Sequence, residues 1–180
     1  MTTFPHRLMG ASALDVDTYE EVEADRGATT QALIVVLASS LAGGIGSTGF
    51  SATGTPLVPG VFFWSAVSLI AWAAWALLVF EIGGRLLPEP ETRVDVGELL
   101  RTIGFSAAPG MLRVFGVVPV LARPVFALTT LWMLVAMIVA VRQALDYRST
   151  ARAIGVCTLG LLVALALAFV FGLFFGPRVS

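Results

Sequence analysis

Polar and apolar positions separate along this chain into a polar head and five apolar runs. The head ends near Gly27, and the runs cover residues 29–46, 61–82, 99–121, 125–141 and 154–175. Most are close to the roughly 20 residues a helix needs to cross the hydrocarbon of a bilayer. The connections, "STGFSATGTPLVPG", "RLLPEPETRVDVGE", "ARP" and "RQALDYRSTAR", are rich in Gly, Pro, Ser or charge, as connections are. The pattern predicts an all-α polytopic membrane protein with five transmembrane helices. It divides into a cytosolic N-terminal segment (1–27), one transmembrane domain (28–176) and a short tail (177–180). No repeat or low-complexity tract divides it further.

Within the head, "DTYEEVEADR" reads as a short amphipathic helix. Asp17 is placed as its N-cap with Glu20 three residues on, the spacing of a capping box, and Tyr19 and Val22 share one face. An acidic helix is repelled by an anionic lipid surface, so it is expected to rest on arginines of this chain or of a partner. The head has no apolar core of the kind a cleavable signal needs, so the first run is expected to stay in the membrane.

The third run is unlike the others. Its "RTIGFSAAPGMLR" sets Arg101, Arg113, Pro109 and Gly110 among apolar neighbours. A proline inside a helix removes one backbone hydrogen bond and crowds the preceding turn. A kink or interruption of the third helix within residues 107–111 is therefore predicted. In a membrane the freed carbonyls need other partners, and Ser106 is one local candidate. Gly104, Ala107 and Ala108 form a face on which another helix can pack closely. Arg113 is expected to reach the outer headgroups or to bond carbonyls exposed by the kink.

Composition strengthens the membrane reading. The 180 residues are 57% hydrophobic and 13% charged, against about 25% charged in a soluble domain, and the mean hydropathy is +0.90. If every run spans, eight of the eleven arginines fall on one side: Arg7, Arg26, Arg85, Arg93, Arg101, Arg142, Arg148 and Arg152. The positive-inside rule then places the N-terminus in the cytoplasm and the C-terminus outside. All twelve acids lie on that side or at its edge. Glu81, ending the second run, and Arg101, starting the third, are expected to pair there. Arg142 and Asp146 have the spacing of a weak surface pair.

Candidate chemistry changes the picture little. There is no Lys for a phosphate loop or a Schiff base, and no Asn for N-glycosylation. Cys157 is single and lies in an apolar run, and His6 has no Cys or His near it in sequence, so neither a disulfide nor a metal site is expected. "GIGSTG" (44–49) matches a dinucleotide-binding spacing, but it follows a membrane-length run and the next acid is Glu81, so it reads as a helix end and loop. "GLFFG" (172–176) has the small-residue spacing that lets membrane helices approach. No run holds an Asp or a Ser–His arrangement for intramembrane proteolysis. Neither an enzyme, a cofactor nor a nucleic-acid partner is expected.

Three stretches carry a resemblance to a known family: "LDVDTYEEVEADRGATTQALIVVLASSLAGGIG", "ELLRTIGFSAAPGMLRVFGVVP" and "LWMLVAMIVAVRQALDYRSTARAIGV". In this order they resemble bacterial members of the Yip1 family, small membrane proteins with a cytosolic N-terminal segment and about five membrane helices. "GFSAAP" looks like the glycine-aromatic and proline motif of that family's third helix, at Gly104, Phe105 and Pro109. Eukaryotic relatives are associated with Rab GTPases and vesicle traffic. Their "DLYGP" signature is absent here, so no Rab partner is expected. The resemblance implies a fold and no settled activity. The all-Arg, Ala-rich composition fits a bacterial cytoplasmic membrane. The leading expectation is a membrane scaffold, or a protein- and lipid-interaction factor, using the acidic head or a second copy of itself. The alternative is a small transporter or channel component with its site at the broken third helix, because discontinuous helices often line substrate sites. A cavity reaching Arg113 would favour transport, and a closed bundle with a protruding head would favour scaffolding.

Overall fold

The computed structural model describes residues 3–50 and 57–175, without the side chains of 49, 50, 57–65, 68, 168 and 171–175. Every described element is helical. The head forms two helices, α1 (Phe4–Ser12) and α2 (Val16–Ala24), joined by a turn in which Leu14 takes a positive φ of 63°. Helix α3 (Ala28–Gly46) follows and ends in a 3-10 turn, Ser47–Phe50. Helix α4 (Leu57–Val79) continues into a seven-residue π-helix, Phe80–Leu86. Helix α5 (Val96–Phe105) gives way to a 3-10 segment, Ala108–Val117. Two long helices complete the chain, α6 (Pro119–Ala144) and α7 (Thr150–Phe175).

Four stretches among the described residues are helical, long and apolar enough to cross a membrane: Ala28–Gly46, Leu69–Leu86, Pro119–Ala144 and Thr150–Leu167. Their inward positions are small, with Ala32, Ala76, Ala136, Ala140, Ala144 and Ala153 buried. Large apolar side chains such as Ile70, Leu77, Leu128, Leu131 and Leu162 point outward. Small residues let helix backbones approach where lipid supplies no hydrophobic drive between helices. The arrangement is that of a bundle solvated by hydrocarbon.

The third apolar run departs from the expected single kinked helix. Its α-helix ends at Phe105, ahead of the predicted window, and the chain goes on as ten residues of 3-10 helix. Proline cannot donate to the preceding turn, and its ring disfavours α geometry at Ala108. A 3-10 helix rises about 2.0 Å per residue, so the segment covers roughly 20 Å where an α-helix would cover about 15 Å. It is also thin, which lets it lie against α3. At Gly46 a Cβ would fall 1.8 Å from the Arg113 carbonyl oxygen, and at Gly110 one would fall 2.0 Å from Ser39 Oγ. The run therefore passes from the head, beside α2, to the far end of α3.

Two apolar clusters organise the interior. One joins α4, its π-helix, α5, α6 and α7 through Val79, Ile82, Leu99, Val141, Leu145 and Val156. Tyr147 closes it, its hydroxyl lying 3.0 Å from the Gly83 carbonyl and 2.7 Å from that of Leu87. The other joins the head to the bundle through Tyr19, Val22, Ala32, Val35, Phe105 and Ala140. The expected acidic helix is α2, and Tyr19 and Val22 do share its buried face. The residue before its first turn is Asp15 rather than Asp17. The Gly172–Gly176 spacing ends outside the described residues.

Candidate functional site

The third run is fastened at its start by a capping box. The Asp95 carboxylate accepts from the Glu98 amide at 2.9 Å, and the Glu98 carboxylate accepts from the Asp95 amide at 2.8 Å. One turn later Arg101, 5% exposed, reaches into the head. Its Nε donates to the carbonyls of Val22 (3.1 Å) and Glu23 (3.0 Å), and Nη2 donates to Glu23 again. These carbonyls end α2, where the helix dipole puts its negative pole. The expected Glu81–Arg101 pair does not form. Arg85, four residues on from Glu81, binds that carboxylate at 2.7 Å, while Arg101 is taken up by the unsatisfied carbonyls of α2.

The head is held at four further points. Arg7, 2% exposed, bonds Glu21 (2.9 Å), Asp25 (2.8 Å) and Gln31 of α3 (3.1 Å). This guanidinium holds the Asp25 carboxyl below the usual carboxylate range. Trp132 of α6 donates to the Ser12 carbonyl at 2.8 Å, and Gln143 donates to Glu20 at 3.2 Å. Phe4 meets Phe105 edge to face, 6.3 Å between centroids. Helix α1 and the role of Arg7 were absent from the sequence reading. Phe4, Leu8 and Ala11 recur at helical spacing, and that stripe was the available signal.

Beyond α5 the run lines an internal space. Gly104 lies against Ala32, Ser106 donates to the Ile103 carbonyl at 2.7 Å, and Pro109 and Gly110 are buried beside Ser39 and Met133. Arg113 bonds side-chain hydroxyls rather than backbone carbonyls, one of its two expected kinds of partner. Its Nε lies 3.3 Å from Thr129 Oγ1 and its Nη2 lies 2.9 Å from Thr130 Oγ1. Its guanidinium also stands 5.4 Å from the Phe126 ring centroid. Arg113 reaches these hydroxyls because α6 passes alongside at close range. The space is a cavity of about 650 Å³ between α3, α4, the third run and α6, with Arg113, Ser39, Ser47 and Trp75 on its lining. Of the candidate site residues singled out from the sequence, Arg113 lines it. Arg101 is in the head clamp, and Glu81 is outside both.

Arg142 does not pair with Asp146. The helix ends at Ala144, Asp146 takes φ 51°, and Arg142 Nε donates to the Tyr147 carbonyl instead. Among the described residues no group of three His, Cys, Asp or Glu is placed to hold a metal ion.

No curated protein and no solved structure matches the chain. A family model described as the Yip1 domain matches residues 15–171, which span α2, the whole helical bundle and the interrupted third run. The protein is a membrane protein of the Yip1 family.

Proposed function

We propose that the protein is a non-enzymatic membrane scaffold that takes basic protein partners on the acidic face of its docked head. The observation that carries this reading is the fixing of α1 and α2 by Arg7, Arg101, Trp132 and Gln143. The head lies on the bundle rather than protruding, the opposite of the feature set out from the sequence as favouring a scaffold, so the reading rests on the ordering of its acidic face. Asp17 and Glu20 are exposed on the head, and Glu20, Glu98 and Asp146 of the α6–α7 connection act on the half-buried Glu23. A surface already ordered loses little conformational freedom on binding, and like charges gathered on it steer an oppositely charged partner. In this reading the chain crosses a bacterial cytoplasmic membrane five times, N-terminus inside and C-terminus outside. Helix α5 and the 3-10 segment together make the third crossing. A second copy of the chain is a further candidate partner.

A photo-crosslinking residue at Asp17 in native membranes tests the reading. The intact chain is expected to capture a basic partner, and Arg101→Gln, which frees the end of α2, is expected to reduce the yield severalfold. No capture by the intact chain, or capture that Arg101→Gln leaves unchanged, removes the proposal. A second reading, a small transporter component, draws on the cavity beside Arg113. It would prevail if Arg113→Leu and Pro109→Ala kept fold and expression but abolished a phenotype that head deletion leaves intact.

A further inference from the structure

Arg113 brings a full positive charge into the bundle and finds only neutral partners, two threonine hydroxyls and a phenyl ring. Among the described residues it makes no ion pair. Sequence alone prevents its neighbours from supplying one, because no Asp or Glu occurs in residues 26–80 or 99–145. An uncompensated charge at membrane depth is costly, and an anion on the guanidinium would offset that cost. The ring of Trp75 lines the same cavity, while its indole Nε1 is itself buried without a partner, so Arg113 is the donor the space offers.

The rest of the space is oily and elongated. A groove of about 330 Å³ shares Arg113, Trp75, Met133 and Met137 with the main cavity and runs between α6 and α7. It follows α6 from Thr130 to Ile138 and α7 from Leu161 to Ile154, about 12 Å along α6 at 1.5 Å per residue. Arg113 is at one end, bonded to Thr130, and Ile138 and Ile154 line the other. Arg113 lies beside the last turn of α3, and the groove runs from there back toward the middle of the bundle. A lipid in the leaflet at that end has the same polarity, charged group outward and chains inward. Both spaces fall in the size range of small-molecule sites.

We propose that this cavity binds an anionic phospholipid, with the phosphate held by Arg113 and one acyl chain in the α6–α7 groove. The site is separate from the acidic face, and either assignment stands if the other fails. The test uses the full chain in mild detergent, with phosphatidylglycerol, phosphatidylcholine of identical acyl chains, and inorganic phosphate as probes. Native mass spectrometry and thermal unfolding report occupancy. One phosphatidylglycerol per chain is expected, retained about tenfold better than phosphatidylcholine, whose identical phosphate carries a trimethylammonium that the Arg113 cation repels. Arg113→Gln should remove that preference. Should Arg113→Gln fail to fold, Thr158→Trp serves. Its indole would fill the groove from the exposed edge of α7, abolishing the preference while the lipid-free unfolding midpoint holds. Equal retention of the two lipids overturns the proposal. So does a preference that survives in a folded Arg113→Gln or Thr158→Trp protein. Protection by inorganic phosphate alone, equal to that by phosphatidylglycerol, overturns it too and makes this a soluble-anion site.

Discussion

Glu23 stands where α2 meets α5, and its carboxyl is pushed up to about 7 from the ordinary 4.5. Burial is the main cause. Asp146, Glu98 and Glu20 add repulsion, and Arg101 opposes them. The folded head thus holds a proton that the unfolded chain would release. The resulting stability is fully present below about pH 4.5 and is lost as pH rises through about 7. Because the side chain is partly solvated, the effect is on the order of 1–2 kcal/mol rather than the full linkage value. Head docking, followed by protease access to residues 13–15, should therefore weaken between pH 5 and pH 8. Glu23→Gln should flatten that profile and raise stability at pH 8. A profile unchanged by the substitution would assign the pH response to another group.

At the scale of elements, the third run depends on how closely it lies against α3. Gly46→Ala would put a methyl group 1.8 Å from the Arg113 carbonyl oxygen. Backbone cannot swing aside as a side chain can, so a loss of about 1–3 kcal/mol is expected in detergent unfolding. Gly155 on α7 makes the contrast, since a Cβ there meets nothing within 4 Å. Gly155→Ala should be neutral or stabilising by up to about 1 kcal/mol. Pro109 and Gly110 marked this run as unusual because backbone chemistry is local, but the α-helix ends at Phe105, ahead of the window they predicted. Its 3-10 form was not legible, since that is decided by Ser39, Gly46 and Met133, far away in sequence. The same holds for charge. Arg101 was marked as unusual by its position, but its partners are carbonyl groups, which every residue has and no sequence pattern distinguishes. Trp132 read only as one aromatic among many, and nothing local couples it to Ser12.

For the whole molecule, the five apolar runs made the helical membrane bundle plain, and they left open how the third passes through it. The chain enters α5 beside the head and reaches Gly46 by the end of the 3-10 segment, so α6 starts at the opposite end from Arg101. Reporter fusions at Glu91 and Tyr147 should read cytoplasmic and one at Arg123 outside. A cytoplasmic signal at Arg123 would mean that the third run turns back. The head clamp carries one more implication, for the order of synthesis. The bonds of Arg7 to Glu21 and Asp25 need only the first stretch of chain, whereas Ser12 waits for Trp132, 120 residues later, and Glu20 for Gln143, 123 residues later. At roughly 5–20 residues per second of translation, the hairpin of α1 and α2 is formed and not yet docked on α6 for on the order of 6–24 s. Until then the head is held by α3 and, once it is made, by Arg101, 79 residues after Val22, and its α6 side is open to whatever attends the nascent chain.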